Sequence, residues 1–312
     1  MEPTDPTTNG HANGPGPAAW RTTTDRSNEY GQLLALLGDE SARVWSVVRR
    51  HLVAAGPRVR PGLLRKIRTG DARERARARR ILLDQERRKV ARRLIGYAAS
   101  ADIDLERGLF LLGRLENPEL DARRYLKTLD AMGAEVAKRI EDPTNLDEVY
   151  HLATYLGDEL GYAGAATDYH HPGNVFLHRT IERKAGMPLT LCALYHFVGR
   201  RAGVRTAFVP LPGHVLLRLY DSRGDNVLID PFHHGEVRTR DECENYLMQH
   251  GLTYHPAWFM DASPGEMLRR QVRNLRESWK QRGLTYEYRI LDLVLAALEK
   301  NDAVPAPVEQ RF

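Results

Sequence analysis

Cysteine is nearly missing from this chain: two residues in 312, Cys192 and Cys243. So few sulfurs cannot build a disulfide framework. The opening residues, MEPTDPTTNGHANGPGPAAW, hold neither the basic flank nor the apolar stretch of a secretion signal. Two thiols and a cytoplasmic location are therefore expected. Long apolar runs are missing as well. No stretch of about 18 apolar residues occurs, which excludes a bilayer-spanning helix and any membrane partner that needs one. Lysine is scarce, with arginine supplying 39 of the 46 basic residues, so the formal charge of +5 is largely guanidinium.

That charge is clustered. Between Arg58 and Arg93, fifteen Arg or Lys stand against four Asp or Glu. A stripe of this size could meet phosphate backbones, which makes residues 58–93 a possible nucleic-acid scaffold. No aromatic residue interleaves it to stack on bases, so a solvated helix face is the plainer reading.

Residues 1–28 are rich in Pro, Gly, Thr and Asn and are expected to form a disordered tail, because they cannot bury enough surface to offset ordering entropy. Residues 29–98 read as a basic helical segment. Leu33, Leu34, Leu36 and Leu37 open it, Gly38-Asp39 breaks it, and Val44, Val47, Val48, Leu52 and Val53 recur at helical spacing up to Gly56-Pro57. Helix, tight turn, helix and Gly-Pro stop look like one HEAT-type hairpin, which cannot bury its own face alone. Residues 99–250 form the expected core. In it, Tyr125, Leu126, Leu129, Met132, Val136 and Ile140 make an apolar stripe with Asp121 as cap. Pro188 suits the first turn of a buried helix that ends at Gly203.

The period then switches to two. Val204–Pro210, Val215–Tyr220 and Val227–Asp230 read as strands, with a turn at Ser222–Asp225. A helix near Arg240–His250 and two more in residues 251–312, a C-terminal helical extension, complete a mostly helical α+β class.

The strand pattern places Val215, Leu217 and Leu219 on one face, and His214, Leu216, Arg218 and Tyr220 on the other. Asp230 ends the neighbouring strand. If the register brings the two together, the carboxylate orients the imidazole, which is the base-plus-orienter half of a catalytic triad. A slip of one residue would send Asp230 to the opposite face. The plainer alternative is a histidine bonded to a nearby loop.

The run NVFLHRTIERKAGMPLTLCALYHFVGRRAGV, followed by VPLPGHVLLRL and LIDPFHHGE, resembles the SirB family of transglutaminase-like proteins. The likeness extends through LENPELDARRYLKTLDAMGAEV upstream and LRRQVRNLRESWKQRG downstream, over roughly residues 100–300. It implies a papain-like core, a central helix packed on a small antiparallel sheet, with His214 and Asp230 in the positions of the transglutaminase His and Asp. In active relatives the nucleophilic cysteine begins the central helix, where the helix dipole and the histidine favour thiolate. Here that position falls at about Pro188, and Cys192 lies one turn further on. Either Cys192 is a small buried residue, or a shifted helix start lets it serve as the nucleophile with His214 and Asp230. Thr190 is a third candidate, read as a capping hydroxyl. Asn174 and Tyr169 also match family positions, and Asn174 is expected to cap the helix that follows it.

His170, His171, His214, Asp230, His233 and His234 invite a zinc reading. None has helical metal-ligand spacing and adjacent histidines on an extended segment point apart, so no metal or other cofactor is expected. Cys243 is expected on a surface helix away from this chemistry and without a role. The composite expectation is a peptide- or protein-binding protein with a displaced or lost catalytic cysteine. The competing one is a thiol-dependent acyl transferase or amide hydrolase using Cys192, His214 and Asp230.

Overall fold

The helix Pro188–Arg201 is buried on nearly every side, with Leu189, Leu191, Leu194, Tyr195 and Val198 each at most 1% exposed. A computed structural model describes residues 30–165 and 167–302. The tail expected at residues 1–28 lies outside them. Packing divides the chain between Gln85 and Glu86.

In the first unit, the helices Ala42–Ala55 and Arg60–Thr69 and the opening half of Ala72–Ala98 close on Leu37, Val48, Leu52, Leu63, Ala78 and Ile81. Ser41 caps the first of these helices by accepting from the Val44 N–H at 3.4 Å. The buried Asp84 is paired with Arg49 at 2.7 Å and Arg80 at 3.4 Å, and Gln85 donates to the carbonyls of Leu52 and Gly56. Lys66 pairs with Glu74, and Arg73 with Glu40. Part of the basic stripe is thus neutralised within its own unit.

The division differs from the sequence expectation at both ends of the core. It falls inside the helix Ala72–Ala98, because Val90, Ala91, Leu94 and Ala98 are buried in the same cluster as Leu105 and Leu109. A helix of this length spans about 40 Å, more than one small core can cover. Residues beyond 251 are no appendage either. Met267, Leu268, Val272 and Leu275, together with Leu291, Val294 and Leu298, share the hydrophobic core of the central helix.

Within the second unit, the stripe on Ala122–Ala137 buries Tyr125, Leu129, Met132 and Val136, and Asp121 accepts from the Arg123 N–H. Strands β1 (Ala163–Gly164) and β2 (Ala185–Gly186) form a short parallel pair. Strands β3 (Arg205–Val209), β4 (Leu216–Tyr220), β5 (Asn226–Asp230) and β6 (Glu236–Arg238) form an antiparallel sheet in that order. The sequence does not announce β6, since three residues are too few for alternation to declare itself. Leu217, Leu219 and the preceding Val215 face the central helix, as the period-two pattern requires. Among the described residues no helix is long and apolar enough to cross a membrane.

One close approach fixes the loop after β5. Gly157, in the π-helical turn Thr154–Glu159, lies so near this loop that an added Cβ would be 1.8 Å from the His234 carbonyl oxygen. Gly157→Ala is expected to cost at least about 1–3 kcal/mol through overpacking. Gly96→Ala, in a helix where nothing lies within 4 Å of the added carbon, is expected to stabilise by about 0.5–1 kcal/mol. Urea unfolding of the two variants against wild type checks both signs.

Candidate active site

Strand register brings the histidine and the aspartate together. Leu217 pairs with Ile229, Arg218 with Leu228 and Leu219 with Val227. Continuing by one residue sets Asp230 opposite Leu216, so His214, two residues before Leu216, is a diagonal neighbour on the same face. The His214 Nε2 lies 3.0 Å from each oxygen of Asp230. His233 approaches the same carboxylate through Nδ1 at 2.7 Å. The Phe232 N–H donates to Oδ1 at 3.0 Å, and the Arg238 Nε stands 3.6 Å from Oδ2. Asp230 is itself 3% exposed. Burial pushes its carboxyl pKa up, but the hydrogen bonds and charge of His214 and His233 outweigh that and hold it below its ordinary value.

His214, Asp230, His233 and Arg238 line a cavity of about 240 Å³ whose walls also include Leu211, Leu216, Cys243 and Tyr246. The Phe232 ring meets His214 edge-on at 5.9 Å and lies flush against Gly164 of β1, where a side chain would strike it. The small parallel pair thus supports the imidazole from behind.

Cys192 occupies a different environment. It is fully buried, and its thiol donates to the Val215 carbonyl at 3.3 Å. Burial pushes its pKa well above the ordinary thiol range, and the Asp230 carboxylate adds to the effect. Pro188 is the first residue of the central helix, with Met187 at the cap position. Thr190 does not cap the helix: its hydroxyl donates to the Asn174 carbonyl at 3.0 Å and accepts from Gln271 at 2.8 Å. Asn174 does not cap the following helix either. Its amide donates to the carbonyls of Asp168 and Tyr169, and its oxygen accepts from Arg183. For Thr190 a buried carbonyl needing a partner outcompetes the helix terminus, whereas Asn174 is taken up by the loop before it and by Arg183. Tyr169 stacks edge-on against Phe232 at 6.2 Å, one layer behind His214.

Cys243 departs from its expected surface position. It is 4% exposed and packs with Val209, Leu211 and Leu216 on the cavity wall, where burial pushes its thiol pKa up to about 11. The helix Arg240–Gln249 turns Cys243 and Leu247 inward, an i, i+4 pair legible in RDECENYLMQ. Of the six candidate metal ligands, His214, Asp230 and His233 converge. His171 instead accepts from the Gly173 N–H, and His234 Nδ1 meets the Gly157 carbonyl oxygen. Arg270 was missed entirely. It is half-buried and donates to the carbonyls of Leu211 and His214, gripping the bend that presents the imidazole. Burial lowers its pKa. Nothing local in LRRQVRN marks this arginine among its neighbours.

The domain thus combines a helix buried on most sides, a sheet packed on it and a His–Asp pair on the sheet's far face. Residues 123–273 match the family model described as Transglutaminase-like superfamily. This stretch carries a transglutaminase-like domain, and it encloses Cys192, His214 and Asp230. The chain is 32% identical to F-box only protein 21 of Mus musculus over 188 residues, 57% of this chain and 29% of that protein. It is 31% identical to a UPF0162 protein of Xylella fastidiosa over 144 residues, 45% of this chain and 50% of the other. A UPF0162 protein of Pseudomonas aeruginosa is 27% identical over 162 residues, 51% and 59% of the two chains. The chain spans less than two thirds of the length of each of these relatives. No solved structure matches it significantly.

The lowered carboxyl pKa has a stability consequence. A group with a depressed folded pKa stabilises the fold above its unfolded pKa, about 3.9 for aspartate, and loses that contribution as pH falls through the folded value. Wild type is therefore expected to be more stable than Asp230→Asn, with the gap narrowing as pH drops from about 5 to below 3. Urea midpoints measured across that range test it; a gap that widens toward acid contradicts the assignment.

Proposed function

We propose that the transglutaminase-like domain binds a peptide or protein segment in the His214–Asp230 cleft, and that its catalytic cysteine has been displaced. The observation that carries this reading is the Cys192 thiol, fully buried and committed to the Val215 carbonyl. Burial also opposes thiolate there. An acyl-transfer nucleophile needs the opposite on every count. Pro188, with no nucleophilic atom, holds the helix start. What remains is a cavity of about 240 Å³ with Leu211, Leu216 and Tyr246 as apolar walls and His214, His233 and Arg238 as polar ones. This suits one anchoring side chain of a bound segment. Similarity to proteins as different in name as an F-box only protein and the UPF0162 proteins supports a portable recognition module.

The domain is SirB-type, the protein acts in the cytoplasm, and the helices of residues 29–98 are a HEAT-like accessory. Nucleic acid is a weaker partner choice, because Lys66, Arg73 and Arg80 of the basic stripe already have carboxylate partners.

Two measurements separate binding from catalysis. Incorporation of a fluorescent primary amine into dimethylcasein is expected to be the same for wild type and Cys192→Ala, at background. Peptides selected on the full chain from a displayed random library are expected to lose about tenfold in affinity, near 1.4 kcal/mol, against Tyr246→Ala. Turnover that depends on Cys192 would replace this reading with the thiol enzyme.

A further inference from the structure

The three groups that meet at Asp230 form more than a hydrogen-bond cluster. One ring nitrogen from each of His214 and His233 and a carboxylate oxygen of Asp230 all lie within 4.8 Å of one another. The two imidazole nitrogens stand 3.0 and 2.7 Å from the carboxylate. Ligand atoms about 2.0–2.2 Å from one zinc ion lie roughly 3–3.5 Å apart, so small side-chain adjustments open the trio to that spacing. We propose that His214, Asp230 and His233 form a divalent transition-metal site of the zinc type, open toward the cavity.

The donor set selects the class of ion. Two imidazoles and one carboxylate suit zinc and its first-row neighbours. Calcium and magnesium want an oxygen-rich shell that this site does not supply. Three protein ligands leave at least one coordination position, and it faces the cavity lined by Tyr246 and Cys243. Water or an oxygen of a bound segment can fill it.

The supports are already in place. Asp230 ends β5 and caps the short turn Pro231–His233 that carries His233, accepting from the Phe232 N–H. Beyond it, His234 adopts a left-handed φ of 55°, the Gly235 N–H returns to the Asp230 carbonyl at 2.9 Å, and the Tyr150 hydroxyl donates to the Gly235 carbonyl at 3.0 Å. His214 is held from the other side by Arg270. Such outer contacts orient first-rank ligands. Arg238 does not block the ion, because it is also paired with Glu236 at 2.9 Å and can turn wholly to that partner. Binding requires a lone pair from each imidazole, so uptake releases any proton held between these nitrogens and Asp230.

Metal binding at these three side chains does not require a bound segment. Tag-free full-length chain, stripped with EDTA, is dialysed against ZnCl2 and its bound zinc is counted. About one equivalent is expected. His214→Ala and His233→Ala are each expected to weaken uptake by roughly tenfold or more, while His51→Ala, at an exposed position on the helix Ala42–Ala55 of the first unit, leaves it unchanged. His233 is exposed, so its variant is expected to fold, with circular dichroism confirming that. Zinc should also raise the melting temperature of wild type but not of His233→Ala. Negligible uptake by wild type, or full uptake retained by a folded His233→Ala, overturns the site. Because the dialysis contains no peptide, either result leaves the segment-binding proposal to stand or fall by its own assay.

Discussion

The pairing of Leu217 with Ile229 across β4 and β5 is the constraint on which both core and cleft depend. Period-two geometry gives that one register two outputs. On the inner face it sends Val215, Leu217 and Leu219 onto the central helix. On the outer face it sends His214 and Leu216 to Asp230. A slip by one residue would bury the imidazole among leucines and expose the core, at a cost of several buried side chains at about 1.5–3 kcal/mol each. Hydrophobic packing therefore enforces the position of the polar pair.

The central helix shows the same economy applied to polar groups. Its first turn carries Thr190, whose hydroxyl joins Gln271 of a distant helix to the Asn174 carbonyl, all three residues being fully buried. Asn174 in turn holds the loop that leads to Tyr169. A network like this is costly unless every member is satisfied. With Pro188 at the start and the Cys192 thiol turned to the Val215 carbonyl, just before β4, the first turns of this helix are committed to structure.

Much of this was legible in the sequence where periodicity is strong. The stripe from Tyr125 to Val136, the strands around Leu217 and Ile229, and the convergence of His214 with Asp230 all follow from spacing plus one register choice. Cys243 reads as surface because its helix is short and its neighbours are charged, although an inward i, i+4 face is visible with Leu247. Asn174 and Thr190 read as caps because capping is a local rule, whereas their partners lie away from the helix starts they precede or open. Arg270 carries no local signal at all, and the unit boundary inside Ala72–Ala98 is set by which core each half of a continuous helix meets.

The grip of Arg270 on the carbonyls of Leu211 and His214 ties the cleft to a helix that follows it by some fifty residues. A chain leaving the ribosome releases its sheet long before Pro264–Gln281 is available, at roughly 5–20 residues per second. The bend bearing the imidazole must therefore wait, loosely held, for an arginine not yet made. The cleft is among the last features of this domain to mature, and a nascent or C-terminally clipped chain carries its histidine without the means to aim it.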